Sequence, residues 1–169
     1  MGKQRIGLFG GTFDPVHLGH ALVAQAAMEE ARLDRLFFVP AARSPFKEAL
    51  TPSSGADRLR WLRLALSGHS RYEVDTSEIE RGGVSFAIET VKAYQTFFPG
   101  AQLYYLIGAD HVEKLPLWRE GQQLAESLHF LVVPRPGERE IAFPEPFQGS
   151  YLAGFPCQIS ASLIRNRVR

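Results

Sequence analysis

At 169 residues, with 45% hydrophobic and 22% charged side chains, the chain is sized for one domain, residues 1–169, with a real core. A net charge of +1 excludes the broad basic surface of a protein that coats nucleic acid, but not a local cluster that grips a small phosphate-rich ligand. The single cysteine, Cys157, excludes an internal disulfide framework and offers no metal-ligand spacing, so it reads as a small apolar filler.

In chain order, residues 5–9 read as a buried strand. Behind it stands Gly10-Gly11-Thr12-Phe13-Asp14-Pro15-Val16-His17-Leu18-Gly19-His20, and residues 21–32 show the three-to-four-residue apolar recurrence of a helix. Leu36-Phe37-Phe38-Val39, stopped by Pro40, has the continuous apolar run of a parallel strand covered on both faces. Residues 41–52 read as a polar loop. Residues 57–66 return to helical periodicity, with Trp61 embedded as a core tryptophan, and end before Gly68. Residues 72–75 read as a strand and residues 81–83 as a turn. Ser85 is placed to cap a helix running to about Phe98.

Pro99-Gly100 breaks that helix. Leu103-Tyr104-Tyr105-Leu106-Ile107 reads as a further buried strand with Gly108-Ala109-Asp110 at its carboxyl end. Residues 115–127 read as helical with an interruption at Pro116, Phe130-Leu131-Val132-Val133 as a strand, and residues 135–146 as a surface loop rich in Pro, Gly and charge. A short strand is expected near Tyr151-Leu152, and Ser160 is placed to cap a last helix.

Strands alternating with helices imply a doubly wound α/β domain with a mainly parallel sheet and helices on both faces. In such a fold ligands sit beyond the carboxyl ends of the strands. Strand, glycine turn and helix is the layout in which backbone N–H groups and a helix start face an anion, usually phosphate. His17 and His20, three apart, fall on one face of a helical turn at that place. Asp14 reads as the holder of the turn rather than an acid. Ser160, Ser162 and Arg165 form a second anion site at a helix start, with Arg165 as a fork of donors. No run approaches ~20 apolar residues, and residues 3–9 are too short for a signal-peptide core, so a cytoplasmic protein without membrane association is expected.

The glycine-turn stretch resembles the GxFDPxHxGH motif of the nucleotidylyltransferase superfamily, whose fold is Rossmann-like. Pro40 to Lys47 (Pro-Ala-Ala-Arg-Ser-Pro-Phe-Lys), Ser85-Phe86-Ala87-Ile88-Glu89-Thr90, Leu106-Ile107-Gly108-Ala109-Asp110, Leu117-Trp118, Arg135-Pro136-Gly137 and Ile159-Ser160-Ala161-Ser162-Leu163-Ile164-Arg165 stand in the order found in bacterial nicotinate-nucleotide adenylyltransferases. The resemblance spans essentially the whole chain. It implies an enzyme that joins ATP to nicotinic acid mononucleotide, giving deamido-NAD and pyrophosphate, with Mg²⁺ carried mainly by the ATP phosphates and no protein metal site. The nearest alternatives are another nucleotidylyltransferase, such as phosphopantetheine adenylyltransferase, and a silent nucleotide-binding relative. The chain departs from the family at Phe46, where His is common, and at Phe86-Ala87, where Tyr-Thr is common. Relatives usually continue into a further carboxyl-terminal helix beyond the position of Arg169.

The resemblance assigns His17, His20 and Arg165 to catalysis, the histidines as hydrogen-bond donors to the α-phosphate. It implies that ATP also meets Gly10, Gly11, Thr12 and Phe13 in the turn, Gly108 and Asp110 after the later strand, and Ile159, Ser160 and Ser162 at the last helix. Asp110 can accept from a ribose hydroxyl or cap the helix behind it. The mononucleotide is expected against Thr12, Lys47, Ser85, Thr90, Trp118 and Arg135. The Trp118 indole is the candidate to stack on the pyridine ring. Lys47 and Arg135 read alone are equally well solvated surface charges. His69, His111 and His129 have no metal-like spacing and read as structural.

Overall fold

In the first strand, β1 (Arg5–Gly11), Ile6 and Leu8 face one layer of apolar side chains, and Phe9 faces a second. That two-sided burial demands helices on both faces of the sheet, and the chain supplies them. The computed structural model describes residues 2–46, 51–134, 139–154 and 159–168. The further strands are β2 (Arg35–Pro40), β3 (Tyr72–Val74), β4 (Gln102–Gly108), β5 (Leu128–Val133) and β6 (Gly149–Tyr151). They form one sheet in the order β3-β2-β1-β4-β5-β6, and every pairing is parallel. The chain winds outward from β1 to β3, then returns to the other side of β1 to lay down β4. The crevice at that reversal, above Gly10 and Gly108, is where such sheets hold ligands.

The helices are α1 (Leu18–Glu30), α2 (Gly55–Ala65), α3 (Ser77–Arg81), α4 (Ala87–Phe97), α5 (Gly121–Ser127) and α6 (Ala161–Val168), with a 3-10 helix over Ala109–Leu117. One layer packs Ala24, Ala27 and Met28 of α1 and Leu62 of α2 against Phe9, Phe38 and Leu106. The other packs Ile88, Val91 and Tyr94 of α4 and Leu124 of α5 against Leu8, Phe37, Tyr105 and Phe130. Burying each large side chain contributes ~1.5–3 kcal/mol. Among the described residues no helix is long and apolar enough to cross a membrane.

Local chemistry moves several expected boundaries. Helix α1 begins at Leu18, so His20 lies in its first turn rather than ahead of it. Ser54 caps α2 by accepting from Asp57 N at 3.1 Å, so the helix begins at Gly55, two residues before the expected start. Ser85 does not cap α4: Phe86 stands at the cap, and the Ser85 hydroxyl instead accepts from Ala42 N at 2.9 Å. The five-residue helix α3 is too short to leave a periodic signal. The helical stretch expected from residue 115 starts at Ala109 as a 3-10 helix, and α5 is a separate helix behind it. Ser160 does cap α6, accepting from Leu163 N at 3.2 Å.

Candidate active site

The glycine turn is shaped from beneath by a side chain that the motif does not contain. Arg58 of α2 is 2% exposed. Its guanidinium donates to Thr12 O at 2.9 Å, Ala41 O at 2.8 Å and Ser53 O at 3.0 Å. It thereby ties the turn after β1 to the loop after β2 and to the approach to α2. Burial lowers the Arg58 pKa while the Asp14 carboxylate raises it, and a guanidinium stays charged through any such shift. Asp14 in turn accepts from Ser53 N at 3.3 Å, so it holds the turn against a distant segment. A trans peptide points its C=O and N–H to opposite sides. With the Thr12 carbonyl held by Arg58, the Phe13 N–H faces away from α2.

Phe13 has φ +48°, a left-handed conformation that costs a residue with a Cβ ~1–2 kcal/mol. Its ring offsets that by packing edge-on to Phe9 at 5.3 Å, beside Phe38 at 5.6 Å and under His20 at 5.0 Å. The Phe13 side chain therefore belongs to the core, and only its backbone is offered to a ligand.

His20 accepts from His17 N through Nδ1 at 3.1 Å, so the proton of the neutral ring sits on Nε2. The two imidazoles lie against each other with centroids 3.8 Å apart. A Cβ at Gly19 would stand 3.0 Å from His17 Nδ1, so a glycine there leaves room for the ring over the first turn of α1. Burial pushes the His17 pKa below its ordinary value, which keeps the free-enzyme ring neutral at physiological pH.

The two ends of the chain meet at this place. Arg165 of α6 donates through one terminal nitrogen to the Asp14 carbonyl and through the other to Ser162 Oγ at 3.1 Å. The Ile159 carbonyl lies 3.5 Å from where a Gly19 Cβ would stand. The starts of α1 and α6, with His17, His20, Ser160, Ser162 and Arg165, thus form one cluster. Trp61, expected in the core, belongs to neither apolar layer. It is half-buried in a hollow beside Asp14, Ile164 and Arg165, because α6 approaches α2 on that side.

Next to the cluster lies a cavity of about 290 Å³ at the carboxyl end of the sheet. Gly10, Gly11 and Thr12 line one side, Ser85 and Phe86 another, and Gly108 and Trp118 a third. The Asp110 carboxylate folds back over Gly108, 2.7 Å from a Cβ position there, so a side chain at 108 would have to displace it. Asp110 is exposed and stands in the first turn of the 3-10 helix, whose cap position is Gly108, so it does not cap that helix as one of its expected roles required.

Three expectations need correction or relocation. Thr90 does not line the cavity: it is 2% exposed and its hydroxyl donates to Glu78, so it acts on the site only through that carboxylate. His111, read as structural, is relocated to the cavity lining, where it packs edge-on to Phe46 at 5.2 Å and to Trp118 at 5.8 Å. Lys47, Arg135 and Cys157 lie outside the described residues. His69 stacks on Tyr72, and His129 bonds Ser150 through Nε2 at 3.2 Å, both away from the cavity.

Sequence reasoning missed Arg58, Glu78, Tyr105 and Arg119. Glu78 is 4% exposed at the cavity wall, and burial raises its pKa against the pull of the Thr90 and Ser85 hydroxyls. Arg119 stands at the cavity with its guanidinium over Phe86 at 4.6 Å and on Glu89 at 3.2 Å. The one signal for Arg58 was an arginine inside an apolar helical stretch.

The cytidylyltransferase-like family model matches residues 8–167. A protein of Geobacillus kaustophilus named "Probable nicotinate-nucleotide adenylyltransferase" is 39% identical over 169 residues, which cover 100% of this chain and 76% of that one. One of the same name from Opitutus terrae is 44% identical over 134 residues, covering 79% and 69%. The fold is shared with Plasmodium falciparum nicotinic acid mononucleotide adenylyltransferase complexed with NaAD, at a TM-score of 0.75 and 19% identity, over 96% of this chain and 83% of that one. On sequence and fold together, the chain belongs to the nicotinate-nucleotide adenylyltransferase family of cytidylyltransferase-like enzymes.

Proposed function

We propose that this protein transfers the adenylyl group of ATP to nicotinic acid mononucleotide, forming deamido-NAD and releasing pyrophosphate. The observation that carries this reading is the meeting of the histidine pair at the start of α1 with Arg165 at the start of α6, beside a cavity walled by Trp118. In this reaction a 5′-phosphate oxygen bonds to the α-phosphorus of ATP, and the bond from that phosphorus to the pyrophosphate oxygen breaks. The attacking phosphate is already ionised near neutral pH, so no general base is required. Catalysis then rests on alignment and on donors aimed at charge that grows on the transferring group.

The residues supply those donors. His20 presents Nε2–H because its Nδ1 is committed to the backbone. His17, neutral in the free enzyme, donates in either charge state and gains a proton readily beside phosphate. The Phe13 N–H, turned by the Arg58 hold on Thr12, adds a fixed dipole. Arg165 keeps the turn with one nitrogen, while the other exchanges Ser162 Oγ for the β- and γ-phosphates as charge builds on the leaving group. Trp118 offers its indole to the pyridine ring, and the start of α4 at Phe86 and Ala87 offers N–H groups to an anionic substituent. These imidazole, amide and guanidinium donors suit phosphate rather than a bare cation. Mg²⁺ accordingly enters as the counter-ion of ATP, held by substrate oxygens and water.

The test is pyrophosphate release from ATP with nicotinic acid mononucleotide, its amide counterpart and phosphopantetheine in parallel. Preferential turnover of the acid is expected. Turnover of phosphopantetheine alone, or nucleotide binding without pyrophosphate release, refutes the reading.

A further inference from the structure

We propose that the Tyr105 hydroxyl donates a hydrogen bond to the ribose of the bound mononucleotide, an inference that rests on the function proposed above. Tyr105 lies on β4 and is 8% exposed, with its ring in the core layer under α4 and α5. The ring is edge-on to Trp118 at 5.9 Å, and its hydroxyl reaches along the sheet to the glycine turn. A Cβ built at Gly10 would stand 2.3 Å from that oxygen. The hydroxyl thus occupies the space a side chain at position 10 would need, and the glycine and the tyrosine are a matched pair.

Tyr105 lines the cavity, no hydrogen bond of its hydroxyl is found among the described residues, and the oxygen is not one of the fully enclosed unpaired atoms, so it opens toward the cavity. A tyrosine hydroxyl whose ring is packed in the core normally finds a partner on its open side. No hydrogen bond joins it to the neighbouring Glu78 carboxylate, which takes the Thr90 and Ser85 hydroxyls. The missing partner therefore comes from within the cavity. Trp118 against the ring and Gly10 against the hydroxyl put this oxygen between the pyridine seat and the phosphate-facing turn. A ribose is the part of the mononucleotide that joins those two places. Burial and the charge of Glu78 both push the phenol pKa up, so the group keeps its proton and acts as a donor.

The test is Tyr105→Phe, which keeps the ring and its packing. For the variant and the wild type, KM for each substrate is measured by pyrophosphate release, together with thermal unfolding of the free protein. The expected result is a threefold to tenfold rise in KM for nicotinic acid mononucleotide, on the order expected for one neutral hydrogen bond. The KM for ATP should be unchanged and the free-protein Tm unchanged or higher. A lower Tm with both KM values unchanged shows a structural hydroxyl and overturns the proposal. A rise in KM for ATP alone assigns the contact to the other nucleotide and overturns it too. If the wild type turns over the mononucleotide and the variant is indistinguishable from it, only this inference fails. If the wild type releases no pyrophosphate, the function proposed above fails, and the inference with it.

Discussion

Replacing Arg58 with methionine keeps most of the buried stem but removes the charge that joins three loops. Three carbonyls, of Thr12, Ala41 and Ser53, lose their donor, and the Asp14 carboxylate loses a neighbouring cation. Each charge-assisted bond is worth ~1.5 kcal/mol, and relief of the buried charge's own desolvation returns part of that, for a net loss of about 3 kcal/mol. In a domain of this size such a loss lowers Tm by roughly 6–12 °C. Activity should fall further than stability explains, because the Thr12–Phe13 peptide is then free to rotate its N–H out of the site. The assay pairs urea unfolding with pyrophosphate release at a temperature where both proteins are folded. Arg58→Lys, with one compact ammonium, should recover stability in part and kcat less so, since a fork of donors reaches carbonyls that a point charge does not. A methionine variant within about 1 kcal/mol of the wild type and with unchanged kcat would refute the role given to this guanidinium.

The site residues yield three further predictions. His17→Ala should lower kcat at least tenfold, about 1.4 kcal/mol of barrier, with an unchanged circular dichroism spectrum; normal turnover removes it from catalysis. Trp118→Ala should raise KM for the mononucleotide far more than KM for ATP, and an equal rise in both argues against stacking on the pyridine. For Glu78, burial raises the folded-state pKa, so the folded chain binds this proton more tightly than the unfolded chain. The resulting stability penalty is absent below the unfolded pKa and grows as pH rises through the folded one. Glu78→Gln should therefore gain stability relative to wild type at about pH 8 and lose that advantage at about pH 4, and a pH-independent difference between the two unfolding curves would contradict the assignment.

What the sequence made legible was backbone. The order of strands and helices, the turn after β1 and the cap at Ser160 each follow from local patterns, such as an apolar run, paired glycines or a serine three residues before a free N–H. Beyond the convergence of the two terminal motifs, contacts that depend on a partner far along the chain were not legible. Ser85 has the chemistry of a helix cap, and only the approach of residue 42 diverts its hydroxyl. Thr90 stands one helical turn from Phe86, but its position on α4 faces α3 and Glu78 rather than the cavity. His111 meets Trp118 nearby in sequence, but its other ring contact, Phe46, comes from a loop far along the chain.

The missed residues share a physical origin. A phosphate-facing turn needs its N–H groups on one side, so its carbonyls must be stabilised on the other, and no residue of the turn can do both. The donor has to come from a separate element packed behind the turn, and it has to be charged to hold several carbonyls at once. Arg58 meets that requirement from α2, and Arg165 meets it for the Asp14 carbonyl from α6. On the cavity side the same division recurs: Glu78 of α3 holds Thr90 of α4, leaving Tyr105 of β4 as the hydroxyl still to be paired. A short motif therefore marks where the ligand binds, while the groups that fix its geometry are spread over α2, α3, β4 and α6, and folding is what assembles them.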